Sequence, residues 1–300
     1  MTTQWAARLI ALLVSAAGGT LAWNAGAAGE APAATGQAAP FQSVDALLDA
    51  VETADKGLKT FDADIQYDRR FELAGDQHIR NGKIYYKAAV VNLDELPAGA
   101  DGRPGVVAGV ARKAFAVKFI TLVIDGKVTE ESQTFVFDGE WFIEKNEATK
   151  RFIKRQVARP GQLIDPLRLG EGPFPIPVGQ KKEDILARYD AVLAPVLDSV
   201  ADEPHLTGGF LDGCTQIVLT PKAEFPDDEL REIRLWYRAE ADGRVLPRLA
   251  RTVVKQGDVS LVRLVGMRVN GPDFPADIVS VAEPDRSEGW DVQVDQKREE

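Results

Sequence analysis

The strongest constraint on the fold is a succession of alternating apolar and polar segments joined by short turn dipeptides. The stretch FDADIQYD, residues 61–68, places an apolar side chain at every second position, which is typical of a strand with one buried and one solvated face. Several later segments meet at dipeptides that favour tight hairpins: Asp125-Gly126, Asp138-Gly139, Asp242-Gly243 and Gly257-Asp258. The pattern predicts a mainly β, α+β fold built on one antiparallel sheet.

Two segments have helical periodicity instead. In residues 43–57 a stripe of Val44, Leu47, Leu48 and Val51 follows Ser43, a residue type favoured at a helix N-cap, and Gly57 is a stop signal. A second predicted helix, residues 181–193, places Ile185, Leu186, Tyr189, Val192 and Leu193 on one stripe. A sheet of so many strands must curl, so we expect a strongly curved, unclosed β-barrel capped by two or three helices.

The first 40 residues predict export. Residues 1–27 carry Arg8, then an apolar run, then small residues at Ala25 and Ala27, which is the layout of a cleavable secretory signal. The alternative is an uncleaved membrane anchor. Residues 28–40 are an Ala/Pro/Gly linker, and the single cysteine, Cys214, predicts a buried thiol instead of a disulfide framework.

Composition and motifs argue against several classes of function. The formal net charge of −10 disfavours nucleic-acid binding, which needs clustered Lys and Arg. His78 and His205 do not have metal-site spacing, and a Gly-x-Ser-x-Gly elbow is absent from the sequence. The acidic residues of the 61–68 strand are interpreted as a solvated face. We therefore expect no enzyme activity, no metal and no cofactor.

An unusually apolar segment, Thr134–Gln156, raises the question of what its second face is for. Counting alternation along the chain places Phe135 and Phe137 on one face, and Val136 and Phe142 on the other. Two interpretations follow from the residues alone. Either the concave side of the curled sheet holds a ligand under the helices, or the helices and the sheet pack as a solid core.

A series of short segments, in order along the chain, resembles the LolA family of periplasmic lipoprotein carriers. The segments are TFDADIQYDRRF, GKIYYK, AFAVKF, FVFDGEWFIEKNEATKRF, IVLTPK, IRLWYRAEADGRVLPRL and FPADIVSVAEP…GWDV. The resemblance implies an unclosed β-barrel with a helical lid and a hydrophobic cavity for lipoprotein acyl chains. It also implies a monomer that exchanges cargo with an inner-membrane lipoprotein-releasing transporter and an outer-membrane acceptor.

The family-like domain is predicted to span residues 41–296, followed by a charged tail, 297–300. Members of this family usually have an Arg-Pro pair after the strand that corresponds to GKIYYK, and that arginine is tied to lid closure and release. Here the strand ends at Lys87, the nearest positional counterpart, and residues 88–112 are predicted to be an inserted loop.

We therefore hypothesise a periplasmic carrier of lipoproteins. The alternatives are an envelope sensor of the same fold and a carrier of other lipids. Candidate ligand-binding residues are expected to point into the cavity. They are Phe115, Val117, Phe119, Phe135, Phe137, Trp141 and Ile143 from the sheet, and Leu47, Leu48, Val51, Ile185, Leu186 and Tyr189 from the lid.

Overall fold

The computed structural model describes residues 41–90, 111–158, 165, 169, 176–224, 229–275 and 277–296. The predicted signal, linker and charged tail lie outside these residues, as do positions 91–110 of the predicted insertion, so those assignments stay predictions. None of the helices in the described ranges is long and apolar enough to cross a membrane.

The described residues form a single sheet whose strands run β12-β6-β5-β4-β3-β2-β1-β11-β10-β9-β8-β7. The strands are β1 Thr60–Arg70, β2 Gln77–Val90, β3 Ala111–Ile124, β4 Lys127–Phe137, β5 Trp141–Asn146, β6 Arg151–Gln156, β7 Tyr189–Ala194, β8 Cys214–Pro221, β9 Leu230–Ala239, β10 Val245–Val254, β11 Val259–Val269 and β12 Asp291–Asp295. β12 and β7 are its two edges, so the sheet is unclosed, as predicted.

Few helices accompany the strands. They are α1 Val44–Glu52, α2 Lys182–Arg188, α3 Pro204–Thr207 and the 3-10 turn Arg286–Glu288. α1 begins as predicted, because the Ala46 amide donates a hydrogen bond of 3.2 Å to Ser43 Oγ, and the turn that follows it contains Gly57 at φ 69°.

The prediction of one helix over residues 181–193 is wrong in its second half. α2 ends at Arg188, and residues 189–194 are edge strand β7, paired antiparallel with β8. Tyr189 is buried and Val192 is 59% exposed, whereas the helical interpretation placed both on one buried stripe. The sequence YDAVLA fits either period over so short a length, and pairing with β8 decides between them.

The two faces of the sheet are covered by different segments. α1 and α2 lie on the concave face, here called the inner face. The convex, outer face is covered over β8–β11 by residues 195–213, which pack Val200, Leu206 and Leu211 against Trp236. Over β3–β6 the outer face is covered by the C-terminal segment from residue 270 to β12.

Hydrogen bonds join both outer covers to the sheet. In the first, the Trp236 indole donates a 2.7 Å hydrogen bond to the Val196 carbonyl. Cys214 is buried there as predicted, and burial raises the pKa of its thiol to about 11. In the second, β12 pairs with β6 in the one parallel ladder among the described strands. Neither cover was predicted from the sequence.

The alternation in β1 predicts a solvated outer face, and the structure corrects this at two positions. Asp62 and Asp68 are buried, because each accepts hydrogen bonds from an arginine that reaches over it. Arg268 of β11 bonds Asp62 at 2.7 Å, and Arg70 bonds Asp68 at 2.9 Å. Only Asp64 between them is exposed, as predicted.

Close backbone approach makes Gly82 a required glycine. A Cβ at this position would lie 2.8 Å from Phe119 Cα and closer still to the Lys118 carbonyl oxygen, next to the bulge where β2 and β3 shift register. We expect Gly82→Ala to lower the free energy of unfolding by roughly 1–3 kcal/mol through overpacking. Gly271→Ala is the control, because a Cβ there meets nothing within 4 Å. Equal stability of the two variants by denaturant unfolding would contradict the assignment.

The predicted inserted loop, 88–112, includes strand residues at both of its ends. Val90 pairs with Ala111, so we expect residues 91–110 to be replaceable by an Asn-Gly turn with a change in unfolding free energy within about 1 kcal/mol. Deleting all of 88–112 should lower the free energy of unfolding clearly more, because it removes three cross-strand residue pairs between β2 and β3 and the ion pair of Arg112 with Asp138. Urea unfolding of both variants tests this. Loss of cooperative unfolding in the shorter deletion would show that the segment is structural.

Candidate functional site

The inner face of the sheet presents a continuous surface of aromatic side chains. Phe61 stacks on Tyr86 at 5.1 Å between ring centroids. The array continues across β3, β4 and β5, where ring centroids lie 5.9 to 6.2 Å apart and the pairs are Phe115–Phe137, Phe119–Phe135 and Phe135–Phe142. Alternation in neighbouring strands brings these rings to one side, because residues paired across a ladder share a face.

The two helices α1 and α2, here called the lid, cover this surface. Leu47, Leu48 and Val51 of α1 and Ile185 of α2 are at most 1% exposed, and all belong to the inner cluster. Tyr189 of β7 completes the contact beside α2. In this closed arrangement, lid and sheet side chains pack directly against one another.

Most of the predicted ligand-binding residues come together here. Leu47, Leu48, Val51, Phe115, Val117, Phe119, Phe135, Phe137, Ile185 and Tyr189 belong to one cluster, and Leu186 packs against it. That they bind a ligand stays a prediction.

Trp141 and Ile143 are on the opposite face, so their predicted inward orientation is wrong. Ile143 packs against Trp290 in the outer cluster, and the Lys154 ammonium lies 4.7 Å from the Trp141 ring centroid. Phe142, predicted to face outward, belongs to the inner cluster.

The reason for this error is the hairpin between β4 and β5. Phe137 pairs with Phe142, which leaves four residues between the paired positions. An even number of intervening residues places odd positions of one strand opposite even positions of the next. The sequence prediction instead assumed that odd-numbered residues of β4 and of β5 lie on the same face. The second apolar face therefore packs against the C-terminal cover.

Sequence reasoning missed the half of the inner face contributed by β8, β9 and β11. Ile217 and Leu219, Ile233 and Leu235, and Val262 and Leu264 are all buried in the inner cluster. Their alternation in TQIVLTP, EIRLWYRAE and SLVRLVGMRVN was a usable signal, because each pair is separated by one residue.

The lid is fastened at its exposed edge by side chains of α1. Lys182 of α2 bonds Asp45 at 2.9 Å and Asp49 at 3.0 Å, and these bonds raise the pKa of Lys182. The Lys182 amide donates to Glu52 Oε2 at 3.1 Å. One backbone bond, from the Gly179 amide to the Val51 carbonyl, joins the end of α1 to the segment before α2.

A half-buried lysine ties the turn after α1 to the sheet. Lys113 of β3 lies 3.4 Å from Asp55 and 2.7 Å from Asp165. Burial works against its charge, but the two carboxylates outweigh burial and raise the pKa of Lys113. Lys87, the predicted counterpart of the family's arginine, follows inward-facing Tyr86 and so lies on the outer face. Two cations contact the turn after α1 among the described residues: Lys113, and Arg244, which donates a 3.4 Å hydrogen bond to the Ala54 carbonyl.

The other end of the inner face is closed by a polar group of side chains. Arg80 is buried and bonds Glu131 at 3.1 Å, and burial raises the pKa of Glu131 even beside this arginine. The Tyr67 hydroxyl lies 3.3 Å from Ser260 Oγ. The apolar surface is therefore bounded along β2 by Arg80 at one end and by Lys113 at the other.

Comparison with known proteins gives no matching family model and no matching curated protein. Among solved structures, the chain is similar to an uncharacterized conserved protein from Thermus thermophilus, at 13% identity and a TM-score of 0.39, over 84% of this chain and 98% of that one. It is also similar to a LolA superfamily protein from Nitrosomonas europaea, at 12% identity and a TM-score of 0.32, over 79% and 99% of the two chains.

A third similar structure is an outer membrane lipoprotein-sorting protein domain from Vibrio parahaemolyticus, at 9% identity and a TM-score of 0.32, over 78% and 96% of the two chains. Two of the three carry names from the family that the sequence motifs resemble. At these scores no functional argument is drawn from them, and the fold rests on the strand order described above.

The ion pairs of Lys182 should control how often α1 leaves the sheet. We expect Lys182→Met to speed hydrogen exchange of the α1 amides by roughly two- to fivefold, the range of an exposed ion pair. High salt should speed exchange in the wild type and have little effect in the variant. Lys181→Met is the matched control, because Lys181 is the exposed neighbour and makes no side-chain cap to α2. Identical exchange in both variants would show that the lid is held by its apolar contacts alone.

Proposed function

We propose that this protein is a carrier that binds the acyl chains of lipoproteins, or of other lipids, on the inner face of the half-barrel when the lid opens. The single observation that supports this most is the continuous aromatic and aliphatic inner face under a two-helix lid. The lid's edge is held by exposed ion pairs and one backbone bond, whereas the C-terminal outer cover is anchored by strand pairing.

Acyl chains would replace lid side chains of the same chemistry. Burying hydrocarbon gains about 0.8 kcal/mol per CH2, and the leucines of α1 lose a similar contact when the lid opens. The exchange of one apolar contact for another is nearly balanced, so both loading and release are accessible. A carrier needs this balance, because it must also let its cargo go.

Binding without chemistry suits the groups around the surface. The charged side chains at its two ends, Lys113 and Arg80, are occupied by carboxylates within the described structure. The inner face between them offers apolar contact, which suits a chain of CH2 groups better than a polar substrate.

The place of action that we propose is the periplasm. The support is the signal-like layout of residues 1–27, together with the family resemblance of the motifs. That resemblance also supplies the proposed partners, an inner-membrane lipoprotein-releasing transporter and an outer-membrane acceptor. A cargo carrier should function as a monomer, with its inner face free to open.

Two valines on neighbouring strands provide a matched test of the binding face. Val117 is in the inner cluster and Val136 is in the outer one, and both are nearly fully buried. Val→Thr keeps the shape and buries a hydroxyl at a cost of about 1–3 kcal/mol, so both variants should lose similar stability. Only Val117→Thr should weaken binding of a fluorescent acylated peptide, by roughly five- to tenfold.

The measurement is a fluorescence titration beside thermal unfolding of each variant. If Val136→Thr weakens binding as much as Val117→Thr, the inner face is not the binding surface. Transfer of the loaded peptide from donor to acceptor vesicles then separates a carrier from a sensor, because a sensor binds the peptide without accelerating its transfer.

A further inference from the structure

An open groove of about 830 Å³ lies on the outer face, opposite the proposed acyl site. Its floor is formed by Gln66 of β1, Ile79 of β2, and Val259 and Arg263 of β11. One wall is the turn between β1 and β2, and the other includes Asp202, Glu203 and His205 of the 195–213 cover. The groove therefore lies between the β1–β2 turn and the edge of the 195–213 cover.

Arg263 is distinctive among the residues that line this groove. Its guanidinium lies 5.0 Å from the ring centroid of Phe210, and its buried Nε has no hydrogen-bond partner in the described structure. None of the ion pairs found among the described residues includes it. Burial lowers the pKa of Arg263, and no neighbouring charge offsets this. A partly buried guanidinium without a carboxylate partner is costly, and an anionic ligand would supply that partner.

Apart from Arg263 and Arg70, the charged side chains that line the groove are carboxylates. Asp68 and Glu203 both bond Arg70, which offsets one of their two negative charges. The remaining carboxylates of the groove, Asp76 and Asp202 among them, are exposed and make no ion pair with a described residue. A dianion would be repelled by this rim, whereas a ligand that carries its own cation would be attracted to it.

We propose that the groove binds a zwitterion, with its oxyanion on the Arg263 guanidinium and its ammonium at the acidic rim. The planar guanidinium of arginine can donate two parallel hydrogen bonds to a phosphodiester or a carboxylate. The cation–π contact with Phe210 holds the guanidinium in place. A phosphoethanolamine group has this charge pattern, either as a lipid headgroup or in a soluble phosphodiester. The site lies on the face opposite the lid, so zwitterion binding there does not depend on whether acyl chains bind to the inner face.

Calorimetric titration with glycerophosphoethanolamine tests the proposal. The wild type should bind it more tightly than it binds glycerol 3-phosphate, which lacks the ammonium, or ethanolamine, which lacks the oxyanion. Arg263→Gln should weaken binding by about tenfold or more, with no loss of thermal stability, because it removes an unsatisfied buried donor. The control is Arg231→Gln, at an exposed residue of β9 outside the groove.

The rim is tested by the double variant Asp76→Asn with Asp202→Asn. It should weaken binding of the zwitterion and leave glycerol 3-phosphate binding unchanged or stronger. No binding of glycerophosphoethanolamine to the wild type, or equal binding by Arg263→Gln and Arg231→Gln, overturns the proposal.

Vesicles distinguish the two sources of the ligand. If the source is a membrane lipid, the wild type should sediment with phosphatidylethanolamine vesicles more than with phosphatidylglycerol vesicles, and Arg263→Gln should not. If only the soluble phosphodiester binds, the groove is a site for a free metabolite. A preference for phosphatidylglycerol, with its bare negative charge, would contradict the role given to the rim.

Discussion

The burial of the inner aromatic face is the interaction on which the rest of the molecule depends. A twelve-stranded sheet curls, and its curvature brings the rings of β1 to β5 into contact with one another. These rings exclude water only while α1 lies on them, because Leu47, Leu48 and Val51 fill the concavity. The stability of the sheet and the position of the lid are thus two consequences of one apolar contact.

The segments that cover the outer and inner faces are attached to the sheet by different kinds of contact. On the outer face, β12 extends the sheet by a ladder of backbone hydrogen bonds with β6. This cover can leave the sheet only if the whole ladder breaks. On the inner face, α1 adds no backbone pairs to the sheet, and its edge is held by Lys182. Segments held by few buried backbone bonds open at lower free energy than core strands do. The inner cover is therefore expected to open at lower free energy than β12 does.

The sequence reveals local structure and misses long-range registration. The faces of β1 and β3 follow from alternation, and α1 follows from its apolar stripe and Ser43. The orientation of Trp141 and Ile143 does not, because it depends on how many residues separate paired positions across a turn. β12 and the isolation of Arg263 are also invisible, because both depend on which distant segments meet on the outer face. For the candidate site, the sequence indicates which side chains are apolar, and only the pairing shows which share a face.

The charged residues at the two ends of the inner face give the proposed site a polarity. Along β2, eight residue steps lead from Arg80 to Ala88, which pairs with Lys113, and this corresponds to about 26 Å of strand. At the Arg80 end the ion pair with Glu131 is buried, so that end is sealed by charges that would have to be separated in a medium of low dielectric. At the other end, Lys113 bonds Asp165 at 2.7 Å and lies 3.4 Å from Asp55, the half-buried carboxylate of the turn after α1. Movement of α1 breaks only the longer of these contacts, so we expect the Lys113 end to open at lower free energy than the Arg80 end. Under the proposed function, an acyl chain would then enter at the Lys113 end and lie with its methyl end towards Arg80.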